Sequence, residues 1–208
     1  MEKYSNRIIK LFKDVQKEHG ENNHLIMIPK IISRTSIGYS TMKFDFELIK
    51  EFSKILSENN NNNNYIGSTA SYSIIALYGK CFTSSDNGYP KLEEKEIFKN
   101  KPELVNAHKY LMDLRNRFIA HRTEHIDELG IAYLSIDKET KRTEIRYSLM
   151  KMSVISPKKM EVLQSLFEHV NNTILEKLDK SGTKTYKGLL SKYSPEELEK
   201  FKFDQLGK

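Results

Sequence analysis

The sequence predicts a mainly α fold: an antiparallel helical bundle with a β-hairpin inserted before its last core helix. Two observations carry this. Apolar residues recur at the 3.6-residue helical period in most of the chain. The period then changes to two over 131–136 and 143–150, with the polar run Asp137–Arg142 between, which is the pattern of a hairpin.

The elements follow in order. Tyr4, Ile8, Leu11, Phe12 and Val15 give a first helix over 2–19. Residues 20–41 read as a packed loop with a short helix, because Pro29 and Gly38 interrupt the apolar stretch. A second helix spans 43–57, with Phe44, Leu48, Ile49, Phe52, Ile55 and Leu56 inward. Six asparagines, Asn59–Asn64, form a turn or mobile loop, since Asn competes with the helix for its own backbone. The third helix, 66–82, carries Ala70, Ile74, Leu77, Tyr78 and Cys81 on one face. A loop at 84–90 and a short helix at 92–99 precede a helix over 103–121, whose Pro102 suits a first turn. After the hairpin, Ser156-Pro157 caps a long helix with Met160, Leu163, Phe167, Val170, Ile174 and Leu178 at coiled-coil-like spacing. Residues 179–193 read as a polar linker, and Ser194-Pro195-Glu196-Glu197 as the capping box of a last short helix. The expected organisation is a bundle domain over 1–180 and a linker with a short helix over 181–208.

Composition narrows the function classes. Hydrophobic residues are 38% and charged residues 30%, as in a soluble globular chain. The N-terminal residues have no apolar signal-peptide core, and no apolar run reaches the ~18 residues of a membrane span. A single cysteine, Cys81, excludes an internal disulfide and a cysteine-based metal site and fits a cytoplasmic location. The net charge of +6 favours polyanionic partners mildly. Nine glycines, none spaced for phosphate cradling, argue against a nucleotide cofactor, and the expectation is no cofactor.

The chemistry-bearing segment is Arg115-Asn116-Arg117-Phe118-Ile119-Ala120-His121-Arg122. On an ideal helix Leu104, Ala107, Leu111, Leu114 and Phe118 form one apolar stripe, and Arg115 falls inside it. A guanidinium on a core-facing surface either pairs with a buried carboxylate, with Asp45 or Glu47 as candidates, or lines a cleft that receives an anion. His121 follows at the C-terminal end, where the helix dipole favours imidazolium. Arg117 stands four residues from Asp113, spaced for a surface pair. Arg117 and His121 lie ~40° apart around the helix, and Arg115 and His121 ~120°. For the latter two to converge, the helix must distort before His121 or a second protomer must complete the site.

The other histidines read more plainly. His108 sits beside the stripe as a hydrogen-bonded core residue. His169, with Glu168, reads as surface. His125, four residues beyond His121, lacks a third ligand at a defined spacing, so no metal site is expected.

Arg115, five intervening residues and His121 form the Arg-x(4–6)-His pattern of the HEPN superfamily, which this chain resembles over roughly residues 1–180. The polar Asn116 directly after the arginine and the Ala-His following an apolar pair match the bacterial HEPN-like form. No Tyr stands two residues after His121, as it does in the nucleotidyltransferase-paired subgroup. The resemblance implies a small helical protein of toxin–antitoxin, abortive-infection or phage-defence type. Its implied activity is metal-independent RNA cleavage at a homodimeric site, with Arg115, His121 and Asn116 catalytic and Arg117 and Arg122 binding RNA. It also implies an antitoxin or regulatory protein as a partner, beside RNA and a second copy. A different class fits the same residues: a non-catalytic HEPN-like module, with Arg115 and His121 stabilising a dimer or binding RNA or nucleotide without cutting it.

Overall fold

The computed structural model describes residues 5–20, 23, 25–28, 30–58, 64–85, 88–119, 128–151 and 155–199. Among the described residues the chain is mainly helical with one small sheet. In order it forms α1 (Asn6–His19), α2 (Lys30–Glu58), α3 (Asn64–Cys81), α4 (Glu94–Ile97), a 3₁₀ turn (Pro102–Leu104) and α5 (Val105–Asp113). A π-helical turn (Leu114–Ile119) follows, then β1 (Glu128–Ile136), β2 (Thr143–Lys151), α6 (Pro157–Leu190) and α7 (Pro195–Glu199). Two compact units divide it: residues 1–40 with 176–208, and residues 41–175.

The unit of residues 41–175 holds most of the buried apolar residues. Ile49, Ile74, Ile75, Tyr78, Leu111, Leu114, Leu163, Leu166, Val170 and Ile174 are essentially inaccessible, and they come from α2, α3, α5, the π turn and α6. Tyr78 stands at the centre of an aromatic cluster, with Phe46, Phe82, Phe167 and His108 at centroid distances of 5.1–6.3 Å. Such offset and tilted ring pairs add about 0.5–1.5 kcal/mol each beyond the area they bury.

The buried row of α2 differs from the expected one. Met42, Asp45, Phe46, Ile49, Ser53 and Leu56 point inward, while Phe44 and Ile55 are exposed. The reason is that both polar members of the row have partners. The Ser53 hydroxyl donates to the Ile49 carbonyl at 2.8 Å, and Asp45 Oδ1 accepts from Lys80 on α3 at 3.1 Å within an ion pair. A hydrophobicity pattern assigns such residues to solvent and so rotates the helix. On α3, Ala70, Ile74, Tyr78 and Cys81 are buried as expected, joined by Ser71 and Ile75. Burial pushes the Cys81 thiol up to about 12, with Asp45 adding to the effect.

The hairpin is antiparallel, with Ile136 opposite Thr143, Leu134 opposite Ile145 and Ala132 opposite Tyr147. Its turn is held by Asp137, whose Oδ1 accepts from the N–H groups of Thr140 at 2.7 Å and Glu139 at 3.0 Å and from the Thr140 hydroxyl at 2.8 Å. The bonds from Thr140 keep the Asp137 carboxyl below its ordinary range. Lys141 closes the turn in the left-handed region, at φ 62°.

The unit of residues 1–40 and 176–208 corrects two expectations. Residues 30–41, read as loop, are the first three turns of α2: Pro29 immediately precedes the first helical residue, and Gly38 is tolerated inside at a cost of about 1 kcal/mol. Residues 179–190, read as linker from their Lys, Gly, Ser and Thr content, continue α6. The Thr185 hydroxyl lies 3.3 Å from that of Ser36. In α1 no described residue is buried, although Phe12 and Val15 are half-covered. The expected capping box at α7 is present, with the Ser194 N–H donating to Glu197 at 2.8 Å and the Glu197 N–H to the Ser194 hydroxyl at 3.2 Å. Ser156 likewise caps α6, accepting from the Lys159 N–H at 3.4 Å.

Candidate functional site

The site is built on α5 and the π turn that continues it. Leu104, Ala107, Leu111 and Leu114 are buried as the expected stripe. They anchor α5 in the core and fix where the next residues emerge. At Leu114 the helix widens into a π turn running to Ile119, which carries Arg115, Asn116 and Arg117. Such turns are rare and recur at functional sites, because the extra residue per turn re-aims side chains. A distorted helix is one of the two ways for Arg115 and His121 to converge, and the backbone departs from α geometry over Leu114–Ile119. His121, Arg122 and His125 themselves lie outside the described residues.

Arg115 is half-buried, and its aliphatic stem packs on Gly79 of α3. Its Nη1 donates to Asn116 Oδ1 at 2.9 Å. The buried salt bridge weighed from sequence is not made with either candidate. Asp45 is taken by Lys80, at 2.8 Å, and Glu47 by Lys43, at 3.2 Å. The core-facing phase is thus met by the stem, and among the described residues only Asn116 engages the guanidinium and its five N–H donors. Arg117 makes the expected pair with Asp113, at 2.7 Å between Nε and Oδ1.

Asn116 and Asp113 open onto a cleft of about 430 Å³, shared with His108 and Lys109 of α5, Glu94 of α4 and Phe82. His108 is the hydrogen-bonded core residue expected: buried, with Nδ1 2.8 Å from the Tyr78 hydroxyl and its ring among Phe82 and Phe98. Burial lowers its pKa below the ordinary histidine value, against the pull of Glu94, whose carboxylate lies 3.7 Å from Nε2. A neutral imidazole is the form this pocket accepts. A larger groove of about 660 Å³ runs along α2 and α6 and contains none of the motif residues.

His169 is a correction. Read as surface, it is half-buried, with Nε2 2.9 Å from the Ile97 carbonyl and its ring 6.0 Å from that of Phe98. Its neighbour Glu168 is exposed as expected. Among the described residues no group of three His, Cys, Asp or Glu side chains is placed to hold a metal ion, and no helix is long and apolar enough to cross a membrane.

Two participants were missed from sequence. Gly79 seats the Arg115 stem, yet a single glycine near a helix end gives no sign of what approaches it. Lys159 of α6 reaches Tyr110 of α5, with Nζ 3.0 Å from the hydroxyl and 4.6 Å from the ring centroid. Nothing in the local pattern of either residue announces the other, 49 positions away.

Compared with known proteins, the chain matches no family model, no curated protein and no solved structure.

Proposed function

We propose that this chain is a HEPN-like, metal-independent endoribonuclease that acts as a homodimer with both motif copies at one interface. The observation that carries the reading is Arg115: its stem is seated on Gly79, and its guanidinium donates to the Asn116 amide oxygen and meets no carboxylate among the described residues. A guanidinium unspent on an internal anion is available for an external one, and its planar donor fork suits two oxygens of one phosphate.

In the proposed reaction a ribose 2′-oxygen attacks the adjacent phosphorus and the bond to the 5′-oxygen breaks. The products are a 2′,3′-cyclic phosphate and a 5′-hydroxyl. His121 takes the 2′-proton or delivers one to the departing 5′-oxygen, as an imidazole titrating near neutrality does. Arg115 binds the scissile phosphate and offsets the charge that develops on its oxygens. Asn116, already bonded to Arg115, holds the guanidinium in orientation. Arg117 and Arg122 contribute salt-sensitive affinity for the backbone. A toxin or phage-defence role, with an antitoxin or regulatory partner, is the setting this activity suits.

The test is cleavage of end-labelled RNA in EDTA by the wild-type chain and by Arg115→Ala and His121→Ala. Cleavage that survives EDTA, leaves cyclic phosphate ends and is lost in both variants is expected. RNA bound but left intact by the wild type assigns the chain to the non-catalytic class, and RNA neither bound nor cut removes both.

A further inference from the structure

The β-hairpin carries an apolar face that is exposed among the described residues. The register places Leu134, Ile136, Ile145 and Tyr147 on one side, and they are 59%, 56%, 65% and 73% exposed. A two-stranded sheet open on both faces is marginal in water, and it becomes stable when further strands or a helix join it. Among the described residues the sheet has only these two strands, so both edges are open.

The β2 edge has the chemistry of a self-complementary surface. The Asp137 N–H donates to the Arg142 carbonyl at 2.9 Å, which makes 137 and 142 a hydrogen-bonded pair. In an antiparallel ladder bonded and non-bonded pairs alternate. The backbone groups of Thr143, Ile145 and Tyr147 therefore face away from β1, toward the open edge. If a second β2 lies antiparallel with Ile145 opposite Ile145, then Thr143 faces Tyr147 in both directions. Every outward N–H and C=O of this stretch then meets a partner.

That same register places Glu144 of each copy opposite Arg146 of the other. In one chain Glu144 and Arg146 already pair along the strand. Across the two-fold axis the four charges alternate in sign, and the apolar faces join into one continuous surface. β1 offers no such selection, because Gly130–Ile136 carries no charge to set a register.

We propose that β2 is a self-association edge, by which two copies of this chain join their hairpins into a four-stranded antiparallel sheet centred on Ile145. An isologous contact of this kind is closed, so by itself it gives a dimer rather than a fibre. It lies on a different element from the motif turn, and it stands or falls independently of ribonuclease activity.

The experiment uses charge reversal on the full chain, read by sedimentation velocity over a concentration series. E144K sets like charges against Arg146 of the other copy, and R146E sets them against Glu144. Each single variant is expected to weaken the dimer by on the order of tenfold or more, because two attractive cross-strand pairs become repulsive. Mixing E144K with R146E restores opposite charges at both positions of the heterodimer, and the dissociation constant is expected to return toward that of the wild type. A mixture no tighter than the single variants overturns the proposal, as does a wild-type chain that stays monomeric. Dimerisation unchanged in both single variants overturns it too, by placing the contact elsewhere. Variants that lose RNA affinity with no change in self-association show instead a nucleic-acid surface. Far-UV circular dichroism on each variant separates a lost contact from a lost fold, and rescue on mixing is itself unavailable to a misfolded chain.

Discussion

A Cβ atom placed on Gly79 would lie 2.5 Å from Cγ of Arg115 and 3.2 Å from its Cβ. α3 and the π turn approach so closely there that the missing side chain of one residue is the seat of the other. The contact explains how an arginine stands at a core-facing phase with no counter-ion among the described residues: the methylenes fill the space, and the charged head extends past it.

Gly79→Ala is therefore expected to destabilise the fold. Overpacking against the base of a side chain costs about 1–3 kcal/mol, and the helix propensity of Ala returns at most ~1 kcal/mol. Arg115→Ala opens space at the same point, so the double variant should be less destabilised than the sum of the two. Urea denaturation of the four proteins of this cycle gives the coupling. Strict additivity would mean that the two residues do not touch in solution.

The His108–Tyr78 pair predicts a pH dependence. Burial holds the folded-state pKa of His108 below its ordinary 6.5, so the unfolded chain takes up the proton first as pH falls. The stability tied to neutral His108 is complete above about 6.5 and is lost progressively below it, toward the lower folded value. Melting temperatures should fall between pH 7.5 and 5, and His108→Gln should flatten that part of the profile. Tyr78→Phe removes the partner of a buried ring nitrogen and should cost about 1–3 kcal/mol at neutral pH.

How far the sequence spoke depended on the physics of each element. The stripe of α5, the hairpin and both Ser-Pro helix starts were legible, because periodicity and capping are local. α2 was misphased because Asp45 and Ser53 are buried polar residues whose partners, Lys80 and the Ile49 carbonyl, a hydrophobicity pattern does not include. The local pattern puts His169 at the surface for the same reason, since its partner carbonyl, that of Ile97, is 72 positions away. The continuation of α6 through 179–190 is hidden by Gly182, Gly188 and the threonines, whose weak helix propensity longer-range structure overrides. At the candidate site, helix geometry leaves two ways for Arg115 and His121 to converge, a distorted helix or a second protomer, and gives no sign of Gly79 beneath Arg115.

Truncation after residue 180 is expected to act locally. It removes the last ten residues of α6 and with them Thr185, the partner of Ser36. Hydrogen exchange at 30–40 should accelerate, while the amides of buried Ile74, Leu111 and Leu166, in the other unit, keep their protection. Loss of protection at those three positions would show that the two units fold as one.

The site assignment turns on a contrast between two arginines on one turn. Arg117 is paired with Asp113, and on an ideal helix it is also the nearer neighbour of His121. Arg115 matches the motif and has no carboxylate partner among the described residues. If Arg115 stabilises charge on the scissile phosphate, Arg115→Ala should lower turnover by ~100–1000-fold, the usual effect of losing such a donor, and weaken RNA binding as well. His121→Ala should cut turnover by ~100–10,000-fold while RNA binding survives, because proton transfer is lost and the phosphate contact is not. Arg117→Ala should change turnover little and weaken binding in a salt-dependent way. Single-turnover cleavage and filter binding across a salt series measure all three. An essential Arg117 beside a silent Arg115 would move the phosphate to the other side of the turn, and Asp113 would then be the residue that holds the catalytic arginine in place.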